Sequence, residues 1–277
     1  MGTIVSFHAH PDDESIGTGG TLARAADAGH RVVLVLATRG ELGEPVPGVL
    51  GEGEQLTLRR TAEVYASAEI LGVDRVEFLG YTDSGMIGED TNDAPWCFWQ
   101  ADVDQAARRL AVILAEESPD VLTVYDDNGG YGHPDHIQVH RVGKAAAALA
   151  GVPVVAQGTI NRDLIDEAMK MAAEFGVELP SFDEEDGPPS AADGPDMAVT
   201  FGLPEAMLTH VVDTSPVVDR KRASMRAHAS QIAPDHFMSA LPDEAFAFVF
   251  GPEWYLVEEL PADPPALFTE FFAPKPT

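Results

Sequence analysis

The chain has 277 residues, 45% of them hydrophobic, enough to bury one large core or a core with a small appended lobe, and no second full-sized domain is required. Forty-six acidic residues against seventeen basic ones give a formal charge of −29, which argues against nucleic acid and anionic membrane as partners, because phosphate binding rests on Lys and Arg. A single cysteine, Cys97, excludes an intrachain disulfide framework and a thiolate zinc cluster, so a metal here would be held by some of the nine histidines and by carboxylates.

Met1 to Val5 enter an apolar segment with no basic leader region, and no apolar run approaches the ~20 residues that span a bilayer, so a cytoplasmic protein is expected. Strands are predicted at Thr3–Phe7, Arg31–Ala37, Arg75–Gly80, Asp120–Tyr125 and Val152–Ala156. They alternate with helices at Gly19–Ala28, Glu54–Leu71, Val103–Glu117 and Pro134–Ala150. Short apolar runs without polar alternation suit strands buried on both faces. The expected class is therefore α/β, a Rossmann-like three-layer sandwich with a mainly parallel sheet, over residues 1–160. Ligands of such sheets bind beyond the carboxyl ends of the strands, where His10, Thr38 to Glu41, Tyr81 to Asp83 and Tyr125 to His136 fall.

Beyond Arg162 a helix is expected near Asp163–Phe175, then an exposed, mobile acidic loop from Glu174 to Asp196. Strands at Ala198–Phe201 and Leu208–Val212, a helix at Val217–Gln231 and an aromatic-rich tail from His236 complete residues 161–277. This C-terminal extension is expected to form a small lobe that completes the pocket.

Two segments carry the chemistry: His10-Pro11-Asp12-Asp13-Glu14 after the first strand and His133-Pro134-Asp135-His136 after the fourth. Three adjacent carboxylates at a partly buried strand end would raise each other's pKa unless a cation sat among them. Imidazole plus carboxylate without thiolate fits a catalytic zinc site, where three protein ligands leave one position for water. His10 and Asp13, three apart at a helix start, can share a face, leaving Asp12 free to act as general base on a water at the metal. Proline and acidic residues in a first helical turn are also favoured by the free amides and the dipole, so the first motif alone would fit an ordinary helix start. The second motif at another strand end makes that coincidence improbable.

Together, Ala9 to Glu14 and Gly132 to His136 resemble the LmbE-like, or PIG-L, family of zinc-dependent N-deacetylases, the N-acetylglucosaminyl-phosphatidylinositol de-N-acetylase family. The resemblance is strong over about residues 3 to 150 and looser beyond. It implies His10, Asp13 and His136 as ligands of one Zn2+ per chain, although Fe2+ would accept the same donors. It implies Asp12 as general base, in agreement with the spacing argument. It implies His133 as the group that stabilises the oxyanion or protonates the leaving amine, Asp135 as the residue orienting that imidazole, and Tyr131 as a mobile tyrosine facing the oxyanion.

Within the family, Asn128 to Tyr131, Asp83 to Met86, Asn161 to Asp163 and Met225 to Gln231 resemble the mycothiol-pathway deacetylase and the mycothiol S-conjugate amidase. By the same likeness Arg60 and Asp83 stand where sugar and inositol contacts are made. The stretches Gly40–Gln55 and Phe182–Ala192 have no counterpart, and would shape the acceptor side of the pocket. The expected partner is a small-molecule glycoside, such as N-acetylglucosaminyl-inositol. Relatives in this family are often oligomeric, which leaves a homo-oligomer open.

Three readings follow: an N-deacetylase of such a glycoside, an amidase cleaving a larger acyl group, and a metal-dependent sugar-binding module without catalysis. Asp12 and His133 count against the last, since a binder needs neither. His140 lies four residues after His136, but Ile137 replaces the glutamate of a zinc-protease helix, so a supporting or packing role is expected. Gly17 to Gly20 fail the dinucleotide fingerprint at Leu22, and neither Ser15 nor Ser84 lies in Gly-x-Ser-x-Gly. His228 could be a surface residue or a pocket contributor, with the resemblance favouring the pocket. His8, His30, His210 and His236 are expected to be surface or packing residues.

Overall fold

Ile4 and Val5, or Val32 and Val33, point to opposite faces of their strands yet all are fully buried, a pattern that requires cover on both sides of the sheet. This computed structural model describes residues 1–174 and 201–276. Its strands are β1 (Thr3–His8), β2 (Arg31–Leu36), β3 (Arg75–Phe78), β4 (Val121–Tyr125), β5 (Val154–Thr159), β6 (His210–Asp213), β7 (Pro252–Leu256) and β8 (Ala273–Pro274). They form one mixed sheet in the order β3-β2-β1-β4-β5-β7-β6-β8. Strands β1 to β5 pair in parallel, and β7, β6 and β8 continue the sheet antiparallel.

The helices are α1 (Gly19–Asp27), α2 (Leu56–Leu71), α3 (Val103–Glu117), α4 (Pro134–Ala150), α5 (Arg162–Glu174), α6 (Val218–Ala227), α7 (Phe237–Ala240), α8 (Asp243–Phe250) and α9 (Ala266–Phe271). On one face, Val5, Phe7, Val33 and Val35 pack with Leu110 of α3 and Val142 of α4. On the other, Ile4 and Val32 meet Leu22 of α1 and Phe268 of α9, while Leu34 and Leu36 meet Val64 of α2. The three-layer expectation is met. No helix among the described residues is long and apolar enough to cross a membrane.

The C-terminal residues join this same sheet through β6 to β8, while α6 packs across α1 and α2. Strand β5 runs to Thr159 instead of stopping at Ala156, because Gln157, Gly158 and Thr159 pair with Leu256, Tyr255 and Trp254 of β7. The helix expected to reach Gln231 ends at Ala227, where His228 leaves helical geometry. The acidic stretch expected at Glu174 to Asp196, apart from Glu174 itself, and most of the strand expected at Ala198–Phe201 lie outside the described residues.

After β1 the chain moves outward to β2 and β3 and then returns to place β4 on the opposite side of β1. Strand order reverses there, with Ile4 beside Val121 and Ser6 beside Thr123, so the loops that leave β1 and β4 open side by side. Those loops carry the two histidine motifs.

Candidate active site and metal centre

The first loop turns sharply at Asp12, whose φ of 119° is a conformation that residues with a side chain rarely adopt. Its carbonyl accepts hydrogen bonds from Ser15 N at 3.0 Å and Ile16 N at 3.2 Å, and a π-helical turn over Glu14–Thr18 then leads into α1. Such turns recur at functional sites. In the second loop, His133 caps α4: its Nδ1 accepts the Asp135 N–H at 3.1 Å, and Pro134 takes the first helical position. One tetrapeptide therefore starts a helix and aims His133, Asp135 and His136 at the crevice.

Asp13 stands between two imidazoles, with Oδ2 3.3 Å from His10 Nδ1 and Oδ1 3.4 Å from His136 Nε2. The other nitrogen of each ring is engaged away from Asp13. His10 Nε2 lies 3.2 Å from Asp135 Oδ2 and 3.5 Å from Asp83 Oδ1, and His136 Nδ1 bonds Gly129 O at 3.1 Å. A metal-binding histidine is characteristically fixed in this way, by a carboxylate or carbonyl on its second nitrogen. His136 Nε2 is buried and has no hydrogen-bond partner. Donor atoms of His10, His133 and His136, and of His10, Asp83 and Asp135, also lie within 4.8 Å of one another. Burial alone would raise the Asp13 carboxyl, but the His136 and His10 rings beside it hold it well below the usual range. An orphaned imidazole nitrogen facing an ionised carboxylate, with no thiolate near, fits a divalent cation held by nitrogen and oxygen.

Around this centre the structure gathers the remaining residues expected from the sequence. Burial pushes Asp12 above its ordinary value against the opposing pull of Arg60, whose Nη2 lies 3.1 Å from Asp12 Oδ1. Arg60 is buried and also donates to Pro11 O at 2.6 Å and Gly40 O at 3.0 Å. Asp83 accepts from Gly85 N at 2.9 Å and Leu42 N at 3.2 Å. Burial and the nearby His10 and His136 rings push His133 down to about 2. With Nδ1 accepting the Asp135 N–H, the proton of this neutral ring sits on Nε2. Tyr131 packs edge-on against His136 at 4.9 Å and His133 at 6.2 Å between ring centroids, and burial raises its hydroxyl above the usual range.

Asp135 differs from its expected contact. Its carboxylate meets His10 and the Ser84 backbone N–H and hydroxyl, and it reaches His133 through its own backbone N–H. The reason is local: two residues into the helix, the side chain points back toward β1, while the capping geometry turns His133 onto the amide. Beside Tyr131 opens a mostly apolar cavity of about 410 Å³, lined by Ile16, Ile160, Leu164, Phe237 and Trp254 among others.

Tyr125 escaped the sequence as a supporting residue, whereas packing or supporting roles were expected of His8 and His140. The Tyr125 ring stacks on His136 at 4.2 Å, and its hydroxyl bonds His8 Nδ1 at 2.9 Å. His8 is buried with Ser6 and Thr18, and His140 Nδ1 donates to the Tyr125 carbonyl at 3.0 Å, so both stand behind the centre in packing roles. His30 and His210 are buried packing residues, and His236 caps α7. His228 is fully buried against Glu14, with Nε2 2.6 Å from Oε1. The sequence signals for that pair were a third carboxylate in the first motif with no assigned task and the resemblance that favoured the pocket for His228.

Residues 5–147, about half of the chain, match the PIG-L family model, described as GlcNAc-PI de-N-acetylase. The chain is similar to a protein of Thermobifida fusca (strain YX) named 1D-myo-inositol 2-acetamido-2-deoxy-alpha-D-glucopyranoside deacetylase, with 40% identity over 90% of this chain and 93% of that one. A protein of the same name from Acidothermus cellulolyticus is 40% identical over 92% of this chain and 88% of its own length. Among solved structures, the N,N'-diacetylchitobiose deacetylase of Pyrococcus horikoshii shares the fold with a TM-score of 0.56 and 20% identity, covering 96% of this chain and 85% of that one. With two histidine motifs converging at the β1/β4 switch point and near full-length relatives at this identity, the chain belongs to the PIG-L family of N-deacetylases.

Proposed function

We propose that this protein removes the N-acetyl group from an N-acetylglucosamine-bearing small glycoside, such as N-acetylglucosaminyl-inositol, as the names of its relatives indicate for them. The observation that carries the reading is Asp13 set between His10 and His136, with Asp12 and His133 on the rim of the same crevice. His10, Asp13 and His136 would hold one Zn2+, or Fe2+ with the same donors. When bound, such a cation supplies a Lewis acid that acidifies a water and polarises the acetamide carbonyl.

The chain's own groups perform the rest. Asp12, its carboxyl raised by burial, takes the proton of the attacking water. His133 donates Nε2–H to the oxygen of the tetrahedral intermediate, and the protonated Tyr131 hydroxyl adds a second donor. Asp12 then returns its proton to the departing amine, releasing acetate. Arg60 orients Asp12 through the 3.1 Å pair, and Asp83, 3.5 Å from His10 Nε2, is the substrate-side acceptor for sugar or inositol hydroxyls.

The apolar cavity beside Tyr131 favours a second reading, an amidase that accepts a larger group such as a mycothiol S-conjugate at the same centre. Acetate release from N-acetylglucosaminyl-inositol and simple N-acetylglucosamine glycosides by zinc-loaded protein, beside Asp12→Ala and beside the conjugate, tests both. Acetate production that vanishes in the variant supports the deacetylase. Cleavage of the conjugate alone moves the assignment to the amidase, and silence on every substrate refutes both.

A further inference from the structure

Asp12 sits at φ 119°, and backbone strain of this kind persists only where the surroundings enforce it. Its N–H donates to Glu14 Oε2 at 3.0 Å, a bond that closes the turn on itself. The other carboxylate oxygen of Glu14 is held from three sides, by His228 Nε2 at 2.6 Å, Ser67 Oγ at 2.6 Å and Ser15 Oγ at 3.0 Å. Glu14, Ser15, Ser67 and His228 are all fully buried. None of them is among the donors that face the metal centre.

The prop is anchored at its far end too. The His228 carbonyl accepts from Gln231 N at 2.9 Å and Ile232 N at 2.8 Å, and two residues on, Ser230 N and Oγ bond Glu63 of α2 at 2.9 and 2.6 Å. A chain segment 214 residues away from Glu14 thus grips the loop that carries Asp12. The two partners meet at 2.6 Å with both side chains wholly buried, so neither is hydrated and each depends on the other. Desolvating such a pair is costly, and well-packed apolar residues of the same volume would often serve stability as well. The pair therefore calls for a role beyond stability.

We propose that Glu14 and His228 are a buried positioning pair that locks the strained backbone of Asp12 and so presents its carboxylate to the reacting water. The proposal rests on the reading of Asp12 as general base. Without the Glu14 acceptor the Asp12 peptide relaxes toward negative φ and carries the carboxylate away from the crevice. Misplacement by about 1 Å can cost ~10²-fold in rate.

The test uses the full-length, metal-loaded protein and reads acetate release together with bound metal. Glu14→Met fills the volume but accepts no hydrogen bond, while Glu14→Gln keeps an acceptor for the Asp12 N–H. Expected is a fall of about 10²-fold in kcat for Glu14→Met and for His228→Ala, with KM and bound metal unchanged, and recovery of Glu14→Gln to within about tenfold of the parent. If Glu14→Met does not fold, His228→Ala and Glu14→Gln carry the comparison. Parental kcat in Glu14→Met and His228→Ala, an equal loss in Glu14→Gln, or joint loss of kcat, KM and metal overturns the proposal. Parental kcat in Asp12→Ala overturns the base reading beneath it, a result distinct from those of the pair.

Discussion

Replacing Glu253 by Gln should be among the most destabilising single-atom-scale changes in this protein. Its carboxylate on β7 is buried, and it accepts from Gly20 N and Thr21 N, both at 2.8 Å, at the start of α1. Lys221 Nζ of α6 lies 2.7 Å from Oε1, and both side chains are only 2% exposed. Each oxygen faces a backbone N–H, so an amide nitrogen on either side forfeits one of those bonds, even where the Thr21 hydroxyl turns to accept from it. Lys221 keeps one carbonyl, Phe250 O at 3.1 Å, and loses the carboxylate it is paired with. Breaking one partner of a buried pair costs about 3–5 kcal/mol. At roughly 2–4 °C per kcal/mol, the melting temperature should fall by about 8–16 °C for a loss near 4 kcal/mol. Thermal and urea unfolding followed by circular dichroism measure this. Glu253→Gln with Lys221→Met should recover at least about 1 kcal/mol of the sum of the two single losses, because the orphaned charge is gone. A single variant within about 1 kcal/mol of the parent, or strictly additive losses, would refute the reasoning.

Further outcomes are expected. Metal at a hundredfold excess over its Kd should stabilise the protein by about 2.7 kcal/mol over the chelated form, a gap visible in thermal melts that His136→Ala abolishes. Gly129→Ala should weaken metal binding about 10–100-fold in a competition titration, because φ is 66° and the new Cβ would lie 2.5 Å from His136 Cβ. Glu117 should set a pH-dependent share of stability through Arg31 and Arg75. Its carboxyl is lowered from 4.5 to about 2, chiefly by the Arg31 hydrogen bond, so its contribution is complete above pH 4.5 and lost as pH falls through 2. The stability gap to Glu117→Gln, about 1 kcal/mol after solvent screening, should therefore close over that window, and a gap unchanged at pH 2 contradicts it.

The parallel half of the fold was legible because its signals are local. Val103–Glu117 and Pro134–Ala150 coincide with their expected bounds, since Asp102 caps one helix by accepting from Gln105 N, and His133 with Pro134 starts the other. The donors His10, Asp13 and His136 are brought together as expected, because both motifs sit directly at strand ends. What was illegible depends on distance in sequence. Nothing near Gln157 or Thr159 announces β7 as a partner from about a hundred residues on, so the end of β5 was misjudged. The Glu14–His228 pair was hidden for the same reason: the groups that hold Glu14 come from Ser67 and from beyond α6. Asp135 was assigned to His133 on the family resemblance, whereas its carboxylate meets His10, beyond the end of β1, and Ser84.

The insertion of β7 between β5 and β6 also orders events during synthesis. A growing chain can complete the five parallel strands once Thr159 has emerged, with both histidine motifs already in place on neighbouring loops. At that stage β5 is an open sheet edge, and neither His228 nor Glu253 exists to brace the Asp12 loop or the start of α1. At ~5–20 residues per second, the interval before Glu253 leaves the ribosome lasts seconds, long enough for a nascent edge to pair wrongly. A ribosome stalled between these points would display a folded-looking but unfinished enzyme, and maturation would arrive only with the last strands.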